Sequence, residues 1–207
     1  MTKESNIEEN ELSAPARGMR DDVRFARSMR EDPKRVGALA PSSRGLARMM
    51  AAQVDQSVDG KILELGPGTG SLTAGLLEVG IPEERLILLE MGAEFCAMLG
   101  ERYPGTEIVQ GDAFDLKKFA SDHLDAPLAA IVSGLPLFNH DEARRQQLIL
   151  DGLNLLHPDG SLIQFTYHVI PPIPRDDQAF RLSATRRVWW NLFPAKVWIY
   201  RPLPASE

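Results

Sequence analysis

The stretch that most constrains this chain is Lys61-Ile-Leu-Glu-Leu-Gly-Pro-Gly-Thr-Gly70. Ile62, Leu63 and Leu65 read as a short apolar strand, and Gly66, Gly68 and Gly70 follow at every second position. Without a Cβ, these glycines let the backbone turn tightly against a ligand. The pattern then becomes helical over residues 70–79, and the first amides of such a helix point back at the same spot. A strand, a glycine-rich turn and a helix commit the chain to an α/β fold with a ligand at a strand tip. The glycines alone do not name the ligand, because dinucleotide-binding domains begin the same way.

The acid before the glycines, Glu64, narrows the choice. E-x-G-x-G-x-G resembles the nucleotide loop of class I S-adenosylmethionine-dependent methyltransferases. Further strand tips fit that resemblance in chain order. Arg85-Leu-Ile-Leu-Leu-Glu90 is a second buried strand ending in an acid. A carboxylate there can accept both hydroxyls of a ribose. Glu107-Ile-Val-Gln-Gly-Asp-Ala-Phe114 is a third short strand, in which Asp112 can accept from an adenine amino group while Ala113 or Phe114 lines the ring. Leu128-Ala-Ala-Ile-Val-Ser133 is a fourth, leading into Ser133-Gly-Leu-Pro-Leu-Phe-Asn139, where a methyl acceptor would sit. The resemblance implies S-adenosylmethionine as cofactor, with S-adenosylhomocysteine as product. It implies cofactor contacts at Glu64, Gly66, Gly68, Gly70, Glu90, Met91, Asp112, Ala113, Phe114 and Ser133.

Alternation of strands and helices through residues 61–133 predicts a mostly parallel sheet. Helices are expected at 44–54, 70–79, 92–102, 115–120 and 141–156, with strands at 61–65, 86–90, 107–109, 128–133 and 161–168. His157-Pro-Asp-Gly160 reads as a turn. A closing hairpin is expected over residues 186–200, around Asn191-Leu-Phe-Pro194. The expected architecture is therefore a Rossmann-like, seven-stranded sheet with an antiparallel edge hairpin. The 207 residues suffice for one domain with a substantial core.

Composition limits the setting. The single cysteine, Cys96, excludes an intramolecular disulfide and suits a reducing cytosol. The Cys and His content shows no metal-binding spacing, and no metal is expected. No apolar run approaches the roughly 20 residues of a membrane span, and the polar N-terminus does not read as a signal peptide. The net charge of −6 hides an asymmetry: residues 15–50 hold nine Lys/Arg against four acids, while the remainder carries −11. A basic segment on an acidic domain points to a polyanionic partner, anionic lipid or nucleic acid.

Three divisions follow. Residues 1–16 are acidic and polar, and are expected to be disordered. Residues 17–34 read as a basic amphipathic helix closed by Asp32-Pro33, with Met19, Val23, Phe25, Ala26 and Met29 on one flank and Arg20, Arg24 and Arg27 on another. Such a helix can lie in a lipid interface, or pack as a lid across its own domain. Residues 35–207 form the expected catalytic domain.

The acceptor loop 133–139, the segment Gln164-Phe-Thr-Tyr167, the tail 187–201 and the stretch 37–49 are similar to bacterial phospholipid N-methyltransferases over roughly residues 20–202. That resemblance implies stepwise methylation of phosphatidylethanolamine, through mono- and dimethyl forms, to phosphatidylcholine. It also implies a peripheral position on the cytoplasmic face of the cell membrane, attached through residues 17–34. No nucleic-acid partner is expected, and the oligomeric state is left open.

The rRNA adenine dimethyltransferases are the rival. Their strand-4 motif, Asn-(Leu/Ile)-Pro-(Tyr/Phe), corresponds here to Gly134-Leu-Pro-Leu137, so the amide and the stacking ring are both missing. A third reading is a membrane-bound cofactor-binding domain without turnover.

Methyl transfer is an in-line displacement, so positioning and desolvation can supply most of the catalysis. The catalytic candidates are Tyr167, by its hydroxyl or ring face, and the backbone of Ser133, Gly134 and Leu135, whose carbonyls could hold the amine. A core role for Tyr167 is an equal alternative. Pro136, Phe138 and Asn139 are candidate pocket walls, and Arg187 is preferred among Arg175, Arg181, Arg186 and Arg187 as the lipid phosphate's cation. His168 should point away from Tyr167 by strand alternation.

Overall fold

The structure, a computed structural model, describes residues 44–176, 178–185 and 195–203. The expected disordered segment 1–16, the basic helix 17–34, Arg186, Arg187 and the turn at 191–194 lie outside the described residues.

Five α-helices and seven strands make up the described chain, alternating until three successive strands close it. In order they are α1 (Arg44–Ala51), β1 (Ile62–Leu65), α2 (Ser71–Glu78), β2 (Leu86–Glu90), α3 (Ala93–Arg102) and β3 (Glu107–Gln110). There follow α4 (Leu116–His123), β4 (Leu128–Ser133), α5 (Glu142–Asn154), β5 (Leu156–Thr166), β6 (Arg181–Ala184) and β7 (Lys196–Arg201). They build one sheet in the order β3-β2-β1-β4-β5-β7-β6. The first five strands are parallel, and β7 runs antiparallel to both β5 and β6. This is the Rossmann-like α/β fold of the class I methyltransferases.

Strand periodicity divides the core into two layers. Ile62, Leu86, Leu88, Ala130, Val132, Ile163 and Val197 pack with Leu46, Met50, Leu76 and Leu99 on the α1–α3 side. Leu63, Leu65, Ile87, Leu89, Ile131, Leu162 and Tyr200 pack with Leu116, Phe119, Leu148 and Ile149 on the α4–α5 side. Because β1, β2 and β4 are buried along their whole length, they read as continuous apolar runs.

The edges are polar. β3 is mostly exposed and ends on Gln110, and β6 carries Arg181 and Ser183. Charged or polar edges discourage further strand pairing. The apolar β7 is drawn inward beside β5, leaving the polar β6 outside.

Three expectations need correction. The turn at 157–160 is absorbed into β5, which runs from Leu156 with a shift in register opposite Leu128 and Ala130. The strand ends at Thr166, so Tyr167 and His168 stand just beyond its tip. The hairpin also begins earlier than residue 186, with β6 at Arg181.

Candidate active site

The carboxyl ends of β1, β2, β3 and β4 bring the glycine loop, Glu90, Asp112 and the acceptor loop to one edge of the sheet. Gly66, Gly68 and Gly70 all adopt positive φ, at 66°, 54° and 80°. Two of them are also held by close neighbours. A Cβ on Gly66 would lie 2.6 Å from the Leu135 side chain, and one on Gly70 would lie 2.9 Å from Tyr103. Gly68 has nothing within 4 Å of that position, so its face opens onto free space. The Tyr103 hydroxyl donates to the Gly70 carbonyl at 3.1 Å, and Arg102 donates to the Thr69 carbonyl at 3.0 Å. The loop is thus fixed before any ligand arrives.

Glu64 lies beneath this loop, with none of its surface exposed. Thr73, near the start of α2, donates to its Oε2 at 2.8 Å, while Oε1 has no partner. Burial pushes this carboxyl up to about 8, and the charge of Glu90 adds to the shift. Glu90 accepts from the Gly68 amide at 3.0 Å through Oε2 and from the Gly92 amide at 2.8 Å through Oε1. Each of its oxygens retains a second lone pair for a ribose hydroxyl. Met91 beside it is 61% exposed, an apolar face at the tip of β2.

At the tip of β3, Asp112 accepts from the Phe114 amide at 2.9 Å and faces Arg144 at 3.6 Å. Arg144 also stands 4.3 Å over the Phe114 ring, and His140 lies 4.4 Å from that ring on another side. Burial first, then the Arg144 charge, holds His140 below its usual range, favouring the neutral ring. Ala113 is buried next to this cluster.

The acceptor loop leaves β4 through Ser133, which is buried and accepts from the Leu135 amide at 3.4 Å. Gly134 donates to the Leu65 carbonyl, and a Cβ there would lie 3.1 Å from the Gly66 oxygen. The two loops therefore meet glycine to glycine. The Leu135 carbonyl, expected as a cradle for the amine, already accepts from the Leu137 amide at 2.9 Å and from Gln164 Nε2 at 3.0 Å. Two donors occupy both lone pairs of that oxygen. Leu137 is 2% exposed and belongs to the core, whereas Pro136 and Phe138 are half-buried and Asn139 is exposed.

Tyr167 is half-buried, meets Phe165 edge to face at 5.5 Å, and packs on the α1–α3 layer. Burial pushes its hydroxyl up. The His168 ring lies 4.1 Å from that of Phe138. The tip that carries both is tied by a relay: Trp198 Nε1 donates to Thr166 Oγ1 at 3.0 Å, and that hydroxyl donates to the His168 carbonyl at 3.0 Å.

Sequence reading missed Gln164, Thr73, Arg144 and Arg145. Gln164 alone left a signal, as a polar residue in an otherwise apolar strand. Arg187 lies outside the described residues. A cleft at the opposite edge, lined by Lys61, Glu107, His123 and Asp125, touches none of these groups.

A family model described as a methyltransferase domain matches residues 63–164. The ornithine lipid N-methyltransferase of Singulisphaera acidiphila is 29% identical over 134 residues, covering 63% of this chain and 70% of that protein. Ribosomal RNA small subunit methyltransferase A of Azorhizobium caulinodans is 40% identical over 79 residues, covering 36% of this chain and 26% of that protein. This chain therefore spans about a quarter of that second relative. A solved structure of TrmN from Thermus thermophilus matches with a TM-score of 0.60 at 18% identity, over 88% of this chain and 53% of that one. That last likeness is one of fold. A methyltransferase domain implies S-adenosylmethionine as its cofactor. The site fits it: an open face at Gly68, acceptors on Glu90 for a ribose, and the unpartnered Glu64 oxygen below.

Proposed function

We propose that this chain, an S-adenosylmethionine-dependent methyltransferase of the class I fold, methylates the amine of a membrane lipid. The acceptor we assign is phosphatidylethanolamine, methylated stepwise towards phosphatidylcholine. The observation that carries this reading is the acceptor loop. An adenine acceptor would call for a side-chain amide and a ring for stacking a flipped base. The corresponding positions here are Gly134, packed on the Gly66 oxygen, and Leu137, buried in the core. Neither can meet a base. The similarity to an ornithine lipid N-methyltransferase supports the same direction, because it spans most of that protein.

S-adenosylmethionine supplies the electrophilic methyl group. The chain's own contribution is to hold an amine in line with it and to keep bulk water away. Ser133 and Gly134, fixed by the Leu65 carbonyl and packed against the glycine loop, form the floor under the acceptor. The Leu135 carbonyl holds the loop through Gln164 rather than holding the amine. The role we assign to Tyr167 is contact with the nitrogen, by its hydroxyl, or by its ring once methyl groups have been added. Its raised pKa keeps that hydroxyl neutral, so its oxygen can accept a hydrogen bond from the ammonium, whose proton leaves to water.

The test is transfer of labelled methyl from S-adenosylmethionine to phosphatidylethanolamine in mixed anionic vesicles, run beside rRNA. Label in mono- to trimethylated lipid supports the reading. Label in the RNA alone would overturn the acceptor while leaving the cofactor in place.

A further inference from the structure

We infer that Arg145 is the receptor for the acceptor's anionic group, a phosphodiester or a carboxylate a few bonds from the methylated amine. The acceptor's identity as a lipid rests on the function proposed above; the anion site rests on Arg145 itself.

Arg145 lies in the first turn of α5, directly after the acceptor loop. Its guanidinium centre stands 4.6 Å over the ring of Phe138, whose centroid also lies 4.1 Å from that of His168. The residue is half-buried, and its Nε is shielded from solvent without a hydrogen-bond partner. Among the described residues no carboxylate pairs with it.

Its neighbour differs on each count. Arg144 is exposed, faces Asp112 at 3.6 Å, and stacks on Phe114. The nearby Asp141 is occupied too, since its side chain accepts from the Arg144 amide as the cap of α5.

A cation drawn partly out of water without an anion or a full set of acceptors is costly, and a ligand anion relieves that cost. A guanidinium offers a planar fork of donors that matches phosphate or carboxylate oxygens. Burial pushes the Tyr200 hydroxyl up, opposed first by a backbone hydrogen bond at Ile173 and then by the Arg145 charge.

The placement sets a length. Phe138 of the acceptor loop lies against both Arg145 and His168. An anion on Arg145 would anchor an acceptor alongside Phe138, with its amine reaching along the acceptor loop. Ethanolamine phosphodiesters put two carbons between phosphate oxygen and amine. Ornithine lipids put four between carboxylate and amine. Relative turnover on the two therefore reports which spacing the site was built for.

The experiment compares the full chain with Arg145→Gln and Arg145→Lys on vesicles of phosphatidylethanolamine and of ornithine lipid. Cofactor affinity is read by calorimetry in each. We expect kcat/KM on the preferred lipid to fall about 10- to 100-fold in Arg145→Gln, the range for losing a charged hydrogen bond. Arg145→Lys should recover part of that loss, with cofactor affinity and melting temperature unchanged in both. A change of less than about threefold in Arg145→Gln, or a parallel loss of cofactor binding and thermal stability, would overturn the assignment and leave the lipid reading intact. If the parent methylates neither lipid, the decision passes to phosphoethanolamine titrated against the ring protons of His168 by NMR. Shifts present in the parent and absent in Arg145→Gln would keep the anion site and retire the lipid acceptor. No shift in the parent would end the proposal.

Discussion

Glu64 shows how much one buried side chain can hold. It was legible as an acid ahead of three glycines, but not as a carboxyl fully removed from water and held by Thr73. Its protonation links directly to stability. The folded value is raised to about 8, above the unfolded carboxyl, so the folded protein holds a proton that the unfolded chain has released. Stability from this group is full below the unfolded pKa and is lost as pH rises through about 8. We expect the melting temperature of the cofactor-free protein to fall between pH 6 and pH 9, and Glu64→Gln to flatten that decline. Identical pH slopes for the two proteins would refute it. Asp112 is different, half-exposed and shared between the Phe114 amide and Arg144. Replacing it with Ala should weaken S-adenosylmethionine about tenfold in calorimetry without altering the melting temperature, in line with losing one or two surface hydrogen bonds.

Between elements, the acceptor loop depends on β5. Gln164 has no exposed surface, and its Nε2 donates both to the Leu135 carbonyl, at 3.0 Å, and to the Phe165 carbonyl, at 2.8 Å. Gln164→Leu keeps the bulk and removes both donors. Methyl transfer should then drop by up to about 10²-fold, since a small misplacement in a positioning site is that costly. Cofactor affinity should hold within a few-fold; an unchanged kcat would show that the loop keeps its shape unaided. The contact of α1 with α2 is equally tight. A Cβ on Gly75 would lie 2.8 Å from the Ala47 side chain and 2.9 Å from its carbonyl carbon. Gly75→Ala should destabilise the fold by about 1–3 kcal/mol in denaturant titration, the usual cost of overpacking. A stability equal to the parent's would mean that the two helices separate freely.

For the whole molecule, charge is the organising quantity. Residues 15–50 carry nine Lys/Arg against four acids, on a chain whose net charge is −6. If the basic segment attaches the enzyme to anionic lipid, deleting residues 1–34 should reduce sedimentation with anionic vesicles. The parent's own binding should weaken as salt rises, because surface electrostatics are screened over about 10 Å at 0.1 M. Binding that survives the deletion would move the attachment elsewhere on the molecule. Among the described residues no helix is long and apolar enough to cross a membrane.

The sequence by itself determined the alternation of elements, the parallel order of the early strands and the glycine loop. These are local matters: a run such as Leu86–Glu90 must be a buried strand, and Gly66, Gly68 and Gly70 must turn. Only the tertiary structure decided where the side chains meet. Saturation of the Leu135 carbonyl joins residues 29 apart in sequence, and the stacking of His168 on Phe138 joins the tip of β5 to the acceptor loop. The inward position of β7 arises because an apolar strand gains more beside β5 than at an edge, with the polar β6 left to face solvent. Such contacts carry no local signature, since each depends on two segments brought together by the burial of others.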